Sequence, residues 1–157
     1  MEKIGIRGIK AHKDCELLET LIYLNGHSHN LNMILKMDVE GAEWEAINAT
    51  ESGLFENYDQ IVMELHSMLD ITKYDMILPA LEKLSRTHQA VWVHGNNWNN
   101  FNHCGEFVTP NSLEIVFARK RSYHFVDSSQ EMHFPLPEDM PNNPSRPELY
   151  LGTWNPL

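Results

Sequence analysis

The chain has 157 residues, with 12 Lys and Arg against 22 Asp and Glu, a formal net charge of −10. One domain is the natural expectation at that length, which buries roughly 70% of the unfolded surface without a metal or disulfide staple. The 42% apolar share excludes a disordered chain, and the acidity argues against a partner recognised through phosphates, because nucleic-acid binding is driven by Lys and Arg releasing counterions.

The first residues, MEKIGIRGIKAHKD, lack the apolar core of a secretion signal. Residues 14–25, DCELLETLIYLN, place Leu17, Leu18, Leu21, Ile22 and Leu24 on one broad face, which predicts a helix with Asp14 as N-cap and Gly26 as stop. Residues 32–39, NMILKMDV, form a nearly continuous apolar run and predict a buried, parallel strand. A short helix over 41–49, GAEWEAINA, follows, with Glu43 and Glu45 at its positive end and Gly53 marking its close. Residues 60–66, QIVMELH, predict a second strand. Residues 72–86 predict a long helix that Pro79 either kinks or starts. AVWVH at 90–94 and LEIVFAR at 113–119 predict two more strands, and 123–126 extend or follow the last. From His133 onward six prolines predict an extended tail over 133–157, behind an α/β domain over 1–132. The alternation of helices and strands implies a layered α/β sheet, mostly parallel, with strand carboxyl ends on one rim.

Three apolar runs end in polar clusters: Asp38-Val39-Glu40-Gly41-Ala42-Glu43, Glu64-Leu65-His66 and His94-Gly95-Asn96-Asn97-Trp98. In an open parallel sheet the ligand crevice lies outside such strand ends. Asp38 and Glu40 are two residues apart, so an extended strand end aims both to one side, and paired carboxylates raise each other's pKa. Equally, Asp38 could cap the next helix while Glu40 and Glu43 decorate its positive end. His66 reads as a general base or a satisfied histidine. The His94-Gly95-Asn96-Asn97 run reads as a ligand-orienting loop or a plain turn. Trp44, Trp92 and Trp98 read as core or rim packing, and the pairs His27/His29 and His103/Cys104 read as loops ahead of metal sites.

The string ILKMDVEGAEWEAI resembles the signature of FkbM-type methyltransferases, enzymes that use S-adenosylmethionine on a Rossmann-like fold. IVMELH, LPALEKLSRTH, VWVHGNN, LEIVFARK and PLPEDMPNNP extend the likeness over about residues 8–120 and into the tail. The resemblance implies a partial Rossmann-like methyltransferase sheet, mostly parallel with an antiparallel last strand and helices on its faces. It implies O-methyl transfer to a sugar-like hydroxyl, with Asp38, Glu40, His66 and His94 as catalytic candidates. Glu43, Glu64, Asn96, Asn97 and Trp98 are the substrate-binding candidates. The family's glycine-rich cofactor loop is not found; Gly5 and Gly8 follow no strand. The chain therefore reads as the C-terminal half of the fold, and an exposed strand edge at 33–39 predicts a homo-oligomer, a covering by the N-terminal segment or a completing chain.

Two further function classes stand beside the enzyme: a non-catalytic half-domain that binds a ligand or partner, and a divalent-metal site of Asp38, Glu40, Glu64 and His66 favouring Mg²⁺ or Mn²⁺. No run approaches the roughly 20 apolar residues that span a bilayer. Cys15 and Cys104, neither in a CxxC pair, read as reduced thiols. The expectation is a cytoplasmic protein with neither membrane nor nucleic acid as partner.

Overall fold

The computed structural model describes residues 18–154 except 25, 28, 106 and 127–130. Its elements are α1 (Leu18–Leu24), β1 (Met33–Met37), α2 (Glu43–Ala49), β2 (Tyr58–Leu65), α3 (Tyr74–Ser85), β3 (His88–Gly95), β4 (Phe101–Cys104), β5 (Phe107–Pro110), β6 (Leu113–Arg119), β7 (Met132–Phe134) and β8 (Gly152–Trp154). Short 3₁₀ turns over Ser52–Asn57 and Ile71–Lys73 lead into β2 and α3. The expected helix cap Asp14, together with Gly5, Gly8 and Cys15, lies outside the described residues. Among those described, no helix is long and apolar enough to cross a membrane.

Four strands build the main sheet in the order β1-β2-β6-β3. β1 pairs parallel with β2, and β6 runs antiparallel between β2 and β3, so β1, β2 and β3 all point the same way. The chain is thus a mixed α/β protein with three co-directional strands, but only one direct pairing between neighbours is parallel.

One face of the sheet is the core. Ile61, Met63 and Leu65 of β2, Ile115 and Phe117 of β6, and Val93 of β3 join Leu18 and Ile22 of α1, Trp44 and Ile47 of α2, and Ile77, Ala80 and Leu84 of α3 in one buried cluster. Period-two alternation sends the even-numbered neighbours Val62, Glu64, Glu114, Val116, Trp92 and His94 to the opposite face. Among the described residues no helix lies there. The proline-rich segment covers the β3/β6 half instead: Trp92 Nε1 donates to Asp139 (3.1 Å) and Asn142 Nδ2 to Glu114 (2.8 Å). Helices therefore occupy one face, and the expectation of helices on the faces gives way to a helix layer on one side and an extended strap on part of the other.

Local departures have plain causes. The strand expected to be buried, β1, buries Met37 in the core but exposes Ile34 (66%) and Lys36 on the opposite face, which among the described residues no helix covers. α2 ends at Ala49, ahead of Gly53, where the Lys83 ammonium from α3 donates to the carbonyls of Ile47 (3.1 Å), Asn48 (2.7 Å) and Thr50 (2.9 Å). A cation on the last carbonyls of a helix satisfies orphaned acceptors and complements its dipole. α3 begins at Tyr74 and runs through Pro79. Residues 123–126 form no strand; the Tyr123 hydroxyl instead donates to Asp59 (2.6 Å). The extended region also contains paired structure, since β7 and β8 form a two-stranded antiparallel sheet and Phe134 is buried in the core cluster.

Arg119, at the end of β6, is a structural hub. Its buried guanidinium donates to the carbonyls of Leu31 and Glu56, to Asn32 Oδ1, to Asp59 Oδ1 (3.0 Å) and to Ser122 Oγ (2.7 Å). It thereby fixes the loop entering β1 against the start of β2.

Candidate functional site

Because β1, β2 and β3 run the same way, their carboxyl ends share one rim with the start of β6. The register pairs Glu64 with Glu114, and Glu114 with His94. Asp38 stands one step beyond the Met37–Met63 pair and completes the row next to Glu64. The sheet thus sets Asp38, Glu64, Glu114 and His94 side by side on the face opposite the core.

The turn after β1 is built around Glu43, the first residue of α2, which is fully buried. Its Oε2 accepts from the Gly41 N–H (2.9 Å) and its Oε1 from the His66 N–H (2.7 Å), so one carboxylate ties the turn to the end of β2. Gly41 has φ +100°, a conformation that suits glycine. Glu40 (φ 54°) and Ser67 (φ 65°) are the non-glycine residues with positive φ among those described, and they flank His66 from two loops. Backbone held in such sparsely populated regions costs on the order of 1–3 kcal/mol and clusters at functional sites. The N-cap of α2 is Ala42, with no side-chain capping bond, so Asp38 has no capping duty.

His66 is 9% exposed and held on three sides. Its N–H is bound by Glu43, its carbonyl accepts from Trp44 Nε1 (2.9 Å), and its Nδ1 lies 3.3 Å from Glu43 Oε1. Its Nε2 is 3.5 Å from both Glu40 Oε2 and Glu64 Oε1. Asn96, from the turn after β3, donates to Glu64 Oε1 (2.8 Å) and accepts from the Trp98 N–H (2.9 Å). Burial raises the Glu64 pKa; the Asn96 bond opposes this, and the nearby charges of Asp38 and Glu114 add to the rise. Asp38 is largely open to solvent, with Lys36 Nζ 3.6 Å away. Asp38, Glu64 and His66 each present a ligand-type atom within 4.8 Å of the other two.

The structure therefore brings together Asp38, Glu40, Glu43, Glu64, His66 and Asn96 from three strand ends. His94, at the far end of the row, and Asn97 and Trp98, beyond Asn96, are instead occupied by the strap. His94 is 2% exposed, stacks on Trp92, and lies between Glu114 Oε2 (3.3 Å from Nδ1) and Glu148 Oε1 (3.1 Å from Nε2). The Glu114 contact raises the His94 pKa, burial opposes, and Glu148 adds to the rise. Asn97 is buried and exchanges bonds with Asn143 (3.0 Å to its carbonyl, 2.7 Å from its N–H), while Trp98 Nε1 donates to the Asn142 carbonyl (3.0 Å). These three residues fasten the strap. Sequence reasoning missed Glu114, whose one available signal was a lone acid inside the apolar run LEIVFAR. It also missed Glu148, which no local pattern marks.

Comparison with family models, curated proteins and solved structures yields no match to this chain.

Proposed function

We propose that this α/β unit is the acceptor-binding part of a Rossmann-like, S-adenosylmethionine-dependent O-methyltransferase acting on a sugar-like hydroxyl. The observation that carries the reading is the seating of His66. A fully buried carboxylate, Glu43, sits at its backbone N–H and at its Nδ1, and leaves Nε2 facing the acidic rim. Two supports stand beside it: the DVEGAE string forms the strained turn that makes this seat, and the last long strand, β6, runs antiparallel to its neighbours.

The residues divide the work as follows. The carboxylates of Asp38, Glu40 and Glu64 accept hydrogen bonds from the acceptor's hydroxyls, and Asn96 orients them. The reacting hydroxyl loses its proton to the Glu40–His66 pair, a role typically worth about 10²–10⁴ in rate. His94, Asn97 and Trp98 act at one remove by holding the turn that carries Asn96. Among the described residues no GxG turn follows a strand, so these residues do not form the cradle S-adenosylmethionine needs.

The test is incorporation of labelled methyl from S-adenosylmethionine into a panel of sugars and polyols by the full chain. Transfer that falls at least about 100-fold in His66→Ala supports the reading. Absence of transfer to every acceptor, together with no heat on titration with S-adenosylhomocysteine, overturns it.

The missing cradle favours a second reading, a half-domain that binds a hydroxyl-rich ligand without catalysis. It expects sugar binding that survives Asp38→Asn, with no methyl transfer under any condition. In either case the open side of β1, where Ile34 is exposed, is the edge that a second copy or a completing chain would extend.

A further inference from the structure

We propose that Asp38, Glu64 and His66 hold a divalent cation, coordinated by one oxygen of each carboxylate and by His66 Nε2. The ligand set comes from two strand ends and mixes two hard oxygens with an imidazole, the combination that suits Mn²⁺ better than Ca²⁺. The three ligand-type atoms lie within 4.8 Å of one another. Around an octahedral ion adjacent ligand atoms are about 3 Å apart and opposite ones about 4 Å, so a small inward rotation of these side chains would bring all three atoms onto one ion.

Two independent observations single out this cluster among the carboxylates of an acidic chain. First, His66 is nine-tenths buried, yet its ring completes no hydrogen bond: Nδ1 has no bonded partner, and Nε2 only approaches Glu40 and Glu64 at 3.5 Å. Of the two ring nitrogens Nδ1 is the buried one, and leaving it unsatisfied is costly. A cation on Nε2 would use its lone pair and fix the proton on Nδ1, 3.3 Å from the Glu43 carboxylate. A buried carboxylate behind a ligating imidazole is the usual outer support of a protein metal site. Second, four carboxylates, Asp38, Glu40, Glu43 and Glu64, surround this one imidazole. Lys36 answers only Asp38, at 3.6 Å on the exposed side, and Lys73 is bonded to Ser67 Oγ (2.9 Å). Glu43 and Glu64 are held away from water while Asp38 and Glu40 stay exposed, so the buried pair carries the desolvation cost and a dication would supply the counter-charge.

The binding claim stands on this geometry; the role of the ion rests on the acceptor-site reading above. On the open side of Asp38 the remaining coordination positions would take water or two hydroxyls of the acceptor. An ion there lowers the hydroxyl pKa as it does that of bound water. With Nε2 engaged, the proton passes to Glu40, whose carboxylate overhangs the site without being a ligand.

Mn²⁺ titrated into the full chain, followed by calorimetry and by loss of the free-ion electron paramagnetic resonance signal, tests the claim. One site per chain is expected. Asp38→Asn, at an exposed position, should keep the fold by circular dichroism and weaken Mn²⁺ at least tenfold; Glu43→Gln, which touches no ion, should weaken it about 10–100-fold. Absence of Mn²⁺ binding at millimolar concentration, or binding unchanged in Asp38→Asn, overturns the proposal. Methyl transfer that persists in EDTA overturns the ion's role in transfer and keeps the transferase. Mn²⁺ binding with these variant effects and no transfer keeps the ion and removes the transferase.

Discussion

Glu43→Gln is the sharpest perturbation of the rim, because one side chain there serves two backbone donors. In the native protein Oε2 takes the Gly41 N–H at 2.9 Å and Oε1 the His66 N–H at 2.7 Å, in a site closed to solvent. A glutamine has one oxygen and one NH₂ in the same places, so one N–H keeps an acceptor and the other faces a donor. An orphaned buried donor costs about 1–3 kcal/mol. The surviving bond loses its charge assistance, about 1 kcal/mol more. The sum, about 2–4 kcal/mol, is a large fraction of the 5–15 kcal/mol typical of a domain. With a urea slope of about 2 kcal/mol/M the midpoint falls by about 1–2 M, which Trp fluorescence reads directly. Glu45→Gln, an exposed neighbour on the same helix, is the control and should stay within about 0.5 kcal/mol of the parent. Amide exchange at Gly41 and His66 should accelerate in the Glu43 variant alone. A Glu43→Gln midpoint indistinguishable from that of Glu45→Gln would refute the bridging role and with it the seat of His66.

His94 makes the strap pH-dependent. Its folded pKa is raised, first by Glu114 and further by Glu148, so its contribution is complete below its unfolded value near 6.5 and is lost as pH rises through the folded value. Glu114 is lowered, first by His94 and also by Asn142, so its share is present above its unfolded value and lost as pH falls through the folded one. Exchange protection of residues 136–148 should therefore decline from pH 6 toward pH 9, and His94→Gln should abolish that decline; an unchanged slope in the variant counts against the clasp. Arg119→Met removes a buried cation from five acceptor groups and should destabilise by about 3–5 kcal/mol in urea unfolding, whereas a loss under about 1 kcal/mol would show that water replaces it.

What could be read from the sequence was whatever depends on local pattern. The period of the apolar residues located α2, β2, α3, β3 and β6, with β6 matching at both ends. The polar residues closing three of those runs did reach one rim, through Asp38, Glu64, His66 and Asn96. The losses came from non-local partners. His94 and Asn97 looked like rim groups because a strand end and an Asn-rich turn carry no mark of what lands on them; Glu148 and Asn143, 46 or more residues downstream, occupy them. β1 looked buried because Met33 to Met37 are mostly apolar, while burial depends on neighbours that a strand's own composition does not reveal. The hairpin of β4 and β5 was missed for want of alternation in FNHC and FVTP.

The row Asp38–Glu64–Glu114–His94 explains why chemistry would concentrate at one end of the sheet. Like charges set opposite one another across strands repel, and a sheet does not carry three adjacent acids without relief. At the β3 end the relief is built in: His94 meets Glu114, Asn142 bonds it, and the strap closes over both. Toward β1 the fixed relief thins to one amide, Asn96 on Glu64, and one exposed ammonium, Lys36 near Asp38. The surplus negative potential is therefore left where the face is uncovered, beside a histidine whose ring is held but not satisfied. In a chain whose net charge of −10 already counts these carboxylates, clustering four of them at one rim adds nothing to solubility. A ligand that brings hydroxyl donors, positive charge or both would relieve that arrangement, and among the described residues the strap leaves the β1 end of this face uncovered.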